Sequence, residues 1–323
     1  MRKIFKLSIV ALSIMSASCG AAPGSDWHVI PTGRQDNFNG FSICDQSHEF
    51  IVSGNPNGFF FRYSSERNRW VIDSMPGTVL QDIYFFKGCQ RGFICGSRGT
   101  FSYSEDFGQK WTSLNFDTSL WLYDVAFKDS LTGFLVGINS NSRITSVGVA
   151  FKTSDGGHTW DSIPIGGIML SSIDIAPDGV VTIKGQGKIY ISRDTGVHWD
   201  TVAAPSGESP NAVCIRGKAG LMIGMGGYVA SSGDGGKTWK PLYVLPENIH
   251  LFDLLMLDEK MAYAIGSDGM VLYTDDCGRN WIPEASGAPQ QLTKIRLVGN
   301  RIYVCGQGGA LIYKDIDLPK SLK

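Results

Sequence analysis

A short pattern, Ser/Thr-x-Asp-x-Gly-x-x-Trp, recurs along this chain at intervals of about forty residues. Its five copies have acids at Asp106, Asp155, Asp194, Asp234 and Asp276 and end at Trp111, Trp160, Trp199, Trp239 and Trp281. A sixth segment, ending at Trp70, keeps only the spacing and the tryptophan. One copy would carry little weight, but five copies in phase indicate that the chain folds as a series of similar units.

Each unit contains the signals of four short strands. Apolar strands precede the pattern, as in "YDVAFK", and glycine-rich turns join them, as in "FICGSRGTFSYS". Another short strand follows each tryptophan, as in "WDSIP". The unit is therefore predicted to hold strands A to D, with the repeated pattern in the turn between C and D, and such a unit is typical of a β-propeller blade.

The number of blades follows from the tryptophans. The last unit, "IYVCGQGGALIYKDIDL", has strands A to C but no strand D, and "DWHVIP" around Trp27 resembles the missing strand. An N-terminal strand that completes the last blade would leave no open edge in the ring. We therefore predict an all-β fold: a seven-bladed β-propeller of four-stranded blades over residues 26–317, followed by a C-terminal tail over 318–323.

The N-terminus predicts export. Basic residues, a short apolar stretch and small residues precede Cys19, which is typical of a secretory signal peptide over residues 1–18. The residues "SASCG" resemble the lipobox of bacterial lipoproteins, in which the cysteine is lipidated after cleavage. This resemblance implies lipidation at Cys19 and a flexible lipidated tether over 19–25. The alternative is plain secretion with a cysteine near the cleavage site.

Charge and cysteine content exclude some functions. Removal of residues 1–18 takes away 3 of 29 basic residues and no acids, which leaves 26 basic against 30 acidic residues and argues against nucleic-acid binding. Apart from Cys19, the chain has six cysteines, which form no CxxC motif and have no histidine at metal-ligand spacing, so no metal or cofactor is expected. Export would permit disulfides, but the apolar runs around the cysteines favour small buried hydrophobic side chains.

The repeated pattern is that of the Asp-box, or BNR repeat, found in sialidases and other propellers. The fuller unit, "LYDVAFKDSLTGFLVG…GVAFKTSDGGHTW", is similar to the photosystem II stability/assembly factor family of seven-bladed Asp-box propellers. The resemblance implies that each Asp-box acid accepts hydrogen bonds within its turn and that each tryptophan packs against the neighbouring blade. Five equivalent acids around a ring also favour a repeated structural role over a single active site.

Candidate binding residues come from the opposite end of the propeller. We call the end with the A–B and C–D turns the box face, and the end with the D–A and B–C connections the loop face. The inner strands of three blades begin with an acid: Asp82, Asp124 and Asp253. We expect these acids either to bind a cation or a basic partner at the channel mouth, or to accept hydrogen bonds within their own strand and turn. The long B–C loop from Gly137 to Gly148 is the best candidate for specificity. The residues grouped with it are Trp121 and Tyr123, expected in the D–A loop of the same blade, Arg98 in the adjacent B–C turn, and Arg143 within the long loop.

These observations predict a non-catalytic binding or assembly scaffold, anchored by lipid at the bacterial cell envelope on the periplasmic or outer-membrane side. We expect a protein or glycan partner, no nucleic acid, membrane association through the lipid alone, and a monomer. The alternative is a sialidase-like or other glycoside hydrolase acting on the loop face, for which Arg34, Arg98 and Arg143 would supply an anion site. The sequence contains no obvious Tyr–Glu pair for such a reaction and no phosphate-binding or nucleophile motif.

Overall fold

The computed structural model of the chain describes residues 26–45, 48–53, 57–64, 69–140, 147–205 and 209–319. The predicted signal peptide, Cys19 with its tether, and Arg143 lie outside these residues. Seven four-stranded sheets make up the described part, and neighbouring strands in every sheet are antiparallel. No helix in the described ranges is long and apolar enough to cross a membrane.

Within each sheet the strands are ordered A, B, C, D from the inside outward, as the repeat predicts. Blade 1 contains β2 (Phe38–Asp45), β3 (His48–Ser53), β4 (Phe59–Ser64) and β5 (Arg69–Ser74), and blade 2 contains β6 (Leu80–Phe85), β7 (Gly92–Gly96), β8 (Phe101–Ser104) and β9 (Thr112–Ser113). Blade 3 contains β10 (Leu120–Phe127), β11 (Gly133–Asn139), β12 (Val147–Thr153) and β13 (Asp161–Ser162), and blade 4 contains β14 (Ser172–Ile175), β15 (Val181–Lys184), β16 (Lys188–Ser192) and β17 (Asp200–Ala203). Blade 5 contains β18 (Ala212–Arg216), β19 (Ala219–Ile223), β20 (Val229–Ser232) and β21 (Lys240–Leu242), and blade 6 contains β22 (Leu251–Met256), β23 (Ala262–Gly266), β24 (Met270–Thr274) and β25 (Ile282–Ala285). Blade 7 contains β26 (Leu292–Val298), β27 (Arg301–Gly306), β28 (Leu311–Asp315) and, as its outer strand, β1 (His28–Val29). Single 3₁₀ turns at Ser267–Gly269 and Gln307–Gly309 connect strands B and C of blades 6 and 7.

The predicted closure of the ring by the N-terminus is confirmed. Strand β1 pairs with β28 through His28↔Tyr313 and Val29↔Ile312, and the Ile30 amide donates to the Leu311 carbonyl at 2.8 Å. The first and last segments of the propeller thus share one sheet, so the ring closes by backbone hydrogen bonds rather than by side-chain contacts alone.

The core lies between the blades. Each of seven apolar clusters combines residues of two neighbouring blades, and the repeat tryptophan of the later blade packs into it. Trp111 of blade 2, for example, lies edge-on to Phe60 of blade 1 at 5.4 Å between ring centroids. The packing that the Asp-box resemblance implies is therefore present, and it makes the tryptophan a wedge between blades.

Five of the seven inner strands have a β-bulge near their beginning. In blade 3 the register shifts between Leu122 and Asp124, and blades 1, 2, 6 and 7 have the same shift at the equivalent position. A bulge turns the following side chain toward a new direction. The structure also corrects the expectation that Trp121 and Tyr123 belong to a D–A loop, because both lie inside β10.

One pair of cysteines differs from the favoured prediction. Cys44 and Cys89 form a disulfide with a Cα–Cα distance of 5.6 Å, and it joins strand A of blade 1 to the A–B turn of blade 2. Cys95, Cys214 and Cys305 are free and buried, in accordance with the interpretation as small hydrophobic side chains. Spacing in the sequence could not distinguish the two cases, because the pair meets only when blades 1 and 2 pack side by side.

Candidate functional site

The Asp-box acids fasten their own turns. The carboxylate of Asp155 accepts hydrogen bonds from the backbone amides of His158 and Thr159, both at 3.0 Å, and from the Thr153 hydroxyl at 2.8 Å. The same hydroxyl accepts the Gly157 amide at 2.8 Å. The other four boxes repeat this arrangement. Each carboxylate is therefore occupied within its turn.

These bonds stabilise the ionised form of the acids. Hydrogen bonds from the side chain and the backbone of Thr238 lower the pKa of Asp234 to about 2. For Asp155, the side chain and then the backbone of Thr159 are the main causes of a lowered pKa. A carboxylate held ionised by donors of its own turn is a poor general acid or base near neutral pH, so the ring of boxes has no catalytic signature.

Two of the acids predicted at the channel mouth are buried inside the channel and are not open to a ligand. Asp82 and Asp124 are buried, with 3% and 1% of their surfaces exposed, and they face Lys294 of blade 7 across the channel. The Lys294 Nζ lies 3.2 Å from Asp124 Oδ1 and 3.9 Å from Asp82 Oδ2. Arg296 lies 3.3 Å from Asp253 and 3.8 Å from Asp124. The basic partner of these acids is thus supplied by the chain itself.

Asp124 and Asp253 also join blades through the backbone. The amide of Ile173 donates to Asp124 Oδ2 at 2.8 Å, and the amide of Ile295 donates to Asp253 Oδ2 at 3.0 Å. In each case the donor belongs to strand A of the next blade, one residue after the position equivalent to the acid. The alternative, in which each acid accepts hydrogen bonds only from its own strand and turn, is therefore incomplete. The hydrogen bonds of Asp124 and Asp253 connect neighbouring blades.

The two neighbouring carboxyls in the channel differ in ionisation. Burial raises the pKa of Asp82 from 3.8 to about 8, opposed by Lys294 and reinforced by the charge of Asp124. Burial acts on Asp124 in the same direction, but Lys294, the hydrogen bond from Asp82 and Arg296 outweigh it and lower its pKa to about 2. Near neutral pH, Asp82 therefore keeps its proton and donates a hydrogen bond to the ionised Asp124.

This protonation balances the charge in the channel. A second pair, Arg216 and Asp174, forms two hydrogen bonds of 2.7 and 3.0 Å. With Asp82 neutral, three carboxylates stand against Lys294, Arg216 and Arg296, so the buried charges sum to zero. A cavity of about 360 Å³ lies between this network and the A–B ends of the inner strands. Within the described residues, no three His, Cys, Asp or Glu side chains are grouped so that they could hold a metal ion.

The geometry also bears on the hydrolase alternative. The two carboxyls of a glycoside hydrolase stand about 5–10 Å apart, with the sugar between them. Asp82 and Asp124 are joined by a hydrogen bond and buried, which leaves no room for a substrate. Arg34, one of the three arginines in that hypothesis, bonds Asp36 at 2.8 Å. The arrangement does not provide the acid pair that the hydrolase mechanism needs.

The loop face carries exposed aromatic and apolar groups. The rings of Trp121 and Tyr123 are half-buried and stack at 6.1 Å, and the buried indole N–H of Trp121 makes no hydrogen bond within the described ranges. Arg98 is exposed in the neighbouring B–C turn, with a positive φ of 58°, and has no ion-pair partner in the described part of the chain. The structure thus places these three predicted residues in blades 2 and 3, whereas Asp82 and Asp124 lie inside the channel.

Sequence reasoning missed several exposed side chains on the same face. The first group is Val147, Ile168 and Met169 between blades 3 and 4, and the second is Met225, Tyr243 and Val244 between blades 5 and 6. Tyr243 is 92% exposed, which is unusual for an aromatic side chain in a monomer. Val147 begins β12 and lies within the long B–C loop that the sequence analysis singled out. The other five stand in connecting loops outside the strands, and their departure from the repeat was the signal available in the sequence.

Comparison with known proteins shows which propellers this chain resembles. The family described as "Photosynthesis system II assembly factor YCF48" matches residues 103–240. Photosystem II assembly lipoprotein Ycf48 of Synechococcus sp. (strain CC9902) is 24% identical over 96% of this chain and 94% of its own length. A solved structure of YCF48 bound to a D1 peptide superposes with a TM-score of 0.72 at 19% identity, covering 93% of this chain and all of that one.

Propellers of similar fold include proteins with different functions. A catalytically inactive variant of virginiamycin B lyase from Staphylococcus aureus has a TM-score of 0.70 at 10% identity, covering 90% of this chain and 99% of that one. The sequence relatives, in contrast, are named as assembly factors, which favours the non-catalytic interpretation over the hydrolase.

The fold and its repeated turns define a seven-bladed Asp-box β-propeller. Within that class, the chain is similar in sequence and fold to the photosystem II assembly factors of the YCF48 type.

Proposed function

We propose that this protein is an exported, lipid-anchored assembly factor that holds a segment of a partner polypeptide on its loop face and catalyses no reaction. The observation that carries the proposal is the grouping of Arg98, Trp121 and Tyr123 in adjacent blades. Aromatic rings and arginine are the side chains that most often anchor protein partners. The relatives support a polypeptide ligand, because YCF48 has been solved with a D1 peptide.

The position of the N-terminus determines how this face is presented. Strand β1 is the outer strand of blade 7 and is antiparallel to β28, so the chain enters the propeller from the box face. A lipid on Cys19 would be connected by a tether over 19–25 that spans at most about 25 Å. The box face would then lie toward the membrane, and the loop face would point away from it toward soluble or protruding partners. This orientation suits a scaffold at the bacterial cell envelope.

The network in the channel supports a rigid role for the blades. Buried charges that are fully paired tie blades 2, 3, 6 and 7 together, while the exposed groups on the loop face remain available. Binding residues on loops over a rigid scaffold lose little conformational entropy when a ligand arrives. The chemistry of the channel is therefore interpreted as structural, and the binding chemistry belongs to the loop face.

The test compares partner capture by full-length variants in the native envelope. Trp121→Ala should remove the rings' stacking and reduce capture about tenfold or more, because truncation of an anchor residue commonly costs 2 kcal/mol or more. Val197→Ala, which changes an exposed apolar residue of the box face, is the matched control. Identical sets and amounts of partner with both variants would contradict the proposal. Selective binding to a glycan array would identify a glycan partner instead.

The hydrolase alternative has its own test. A panel of fluorogenic glycosides that includes sialosides should show no turnover with the wild-type protein. Turnover that disappears in Arg98→Ala would show that the loop face is a catalytic site.

A further inference from the structure

The outer edge of blade 1 differs from the outer edges of the other blades. Strand β5 extends over six residues, Arg69–Ser74. The other outer strands have two to four residues. Among the described residues, no strand pairs with the outer side of β5. Long unpaired edges are the places where an additional strand can join a sheet.

The repeat allows the outward-facing positions to be assigned. In blades 2, 3 and 7, the amide three residues after the repeat tryptophan donates to strand C, as for Leu114, Ile163 and Ile30. The amides two and four residues after it therefore point outward. In blade 1, Met75 donates inward to Gly58 at 3.0 Å, so the amides of Trp70, Ile72 and Ser74 face away from the blade.

Proline blocks these positions in most other blades. Pro241 and Pro283 stand at the position of Ile72, and Pro31 and Pro164 stand at the position of Ser74. Proline has no amide hydrogen, so four of the seven edges cannot offer the full set of donors to an added strand. Blade 2 is protected by length, since β9 has only two residues. Blades 1 and 4 have neither protection, but β5 is two residues longer than β17. Its Ile72 is also 44% exposed.

We propose that an extended segment of a partner polypeptide pairs with β5 as a fifth strand of blade 1. The proposal rests on the proposed function in that the partner is a polypeptide. A groove of about 760 Å³ beside this edge, lined by Ser74, Met75, Arg98 and Trp111 among others, leads from β5 toward the loop face. A strand bound along β5 thus has a path that continues to the candidate binding residues.

The geometry favours a partner over a second copy of this chain. Two copies paired antiparallel through β5 would point their box faces in opposite directions, and their N-terminal tethers would leave on opposite sides. Tethers of at most about 25 Å could not then reach one membrane surface. We therefore assign the edge to a different polypeptide, because the membrane tether of this chain does not restrict the direction in which that polypeptide runs.

The side chains of β5 specify the chemistry of the added strand. Arg69 and Asp73 are exposed and lie on one side of the strand, four residues apart, so the segment should carry an acidic and a basic residue at matching positions. Ile72 favours a β-branched or aromatic residue opposite it. The expected ligand is an extended, β-prone segment with alternating apolar residues and one charge of each sign.

The experiment uses a fluorescent hexapeptide, Thr-Lys-Val-Thr-Ile-Glu, which in antiparallel register puts its lysine opposite Asp73 and its glutamate opposite Arg69. Its binding to the full-length protein is measured by anisotropy, and protection of the β5 amides is measured by hydrogen exchange. We expect saturable binding with slower exchange at β5, and binding about two- to fivefold weaker for the peptide with its two charges exchanged.

Two proline variants separate the edge from general damage. Ile72→Pro removes an outward amide and should weaken peptide binding by about tenfold or more. Thr201→Pro makes the same change at the equivalent position of β17 in blade 4 and should leave binding unchanged. Both should fold, because Pro241 and Pro283 already occupy this position.

Three results would overturn the proposal: no saturable binding by the wild type, equal binding by Ile72→Pro, or a wild-type dimer in solution that Ile72→Pro dissociates. Trp121→Ala distinguishes failure of this proposal from failure of the proposed function. If Trp121→Ala abolishes partner capture and Ile72→Pro does not, the loop face binds the partner and the edge of blade 1 does not.

Discussion

The proton held between two buried acids gives the most informative prediction. Asp82→Asn replaces a neutral carboxyl with a neutral amide of nearly the same shape, and its N–H can still donate to Asp124. Asp124 is the ionised member of the pair, because it has the closer contact with Lys294 and accepts the Ile173 amide. The charge balance of the channel should therefore survive Asp82→Asn near neutral pH.

The magnitude follows from the raised pKa of Asp82, about 8 in the folded protein and about 4 in an unfolded chain. Between these values the folded protein holds a proton that the unfolded chain has released, so the contribution of this carboxyl to stability falls as pH rises. The slope is about 1.4 kcal/mol per pH unit, or about 3 kcal/mol between pH 5 and pH 7. The contribution of this carboxyl to stability is fully present below pH 4 and is lost as pH rises through 8. Asparagine does not titrate and removes this slope.

Urea unfolding followed by tryptophan fluorescence at pH 5, 7 and 9 measures the difference. We expect Asp82→Asn to gain about 2–3 kcal/mol relative to the wild type between pH 5 and pH 7, and little more above pH 8. Asp124→Asn is the contrast: it leaves Lys294 without its ionised partner and should cost about 3–5 kcal/mol at pH 7. An unchanged pH slope in Asp82→Asn, or a larger loss at pH 7 than in Asp124→Asn, would refute the assignment of the proton.

Two further predictions concern the disulfide between blades 1 and 2 and the carboxylate of an Asp-box turn. Replacing both Cys44 and Cys89 by serine should lower the unfolding free energy by up to about 4 kcal/mol, given the 45-residue separation, whereas Cys277→Ser should change it little; equal losses would show that the disulfide does not constrain the chain. Asp155→Ala removes the acceptor of two backbone amides and should cost about 1–2 kcal/mol by thermal or urea unfolding with no effect on partner capture. Loss of capture at unchanged stability would instead give the Asp-boxes a direct role in binding.

The sequence predicted the features that repeat. Trp111 and Trp160 occur in phase because every blade packs the same side chain against its neighbour. Asp106 and Asp155 occur in phase because five of the C–D turns use the same acceptor. A residue that recurs once per blade leaves a period that one sequence can reveal. The closure by Trp27 was visible for the same reason, since a blade without its fourth strand is an incomplete copy.

Features that occur once were not predictable in this way. The acids Asp82 and Asp124 looked like an open site because their partner, Lys294, lies 170 residues or more further along the chain. The disulfide between Cys44 and Cys89 was similarly hidden, because no motif marks either cysteine. In each case the contact depends on which blades face each other across the ring or stand side by side in it.

The sequence alone therefore determined the fold, the number of blades and the role of the tryptophans, because each depends on local patterns that recur. Tertiary structure decided which charges are buried and paired, which cysteines meet, and which side chains remain exposed on the loop face. The physical reason is the ring itself: closing it brings Asp124 of blade 3 to within 3.2 Å of Lys294 of blade 7, a proximity that separation along the chain does not reveal.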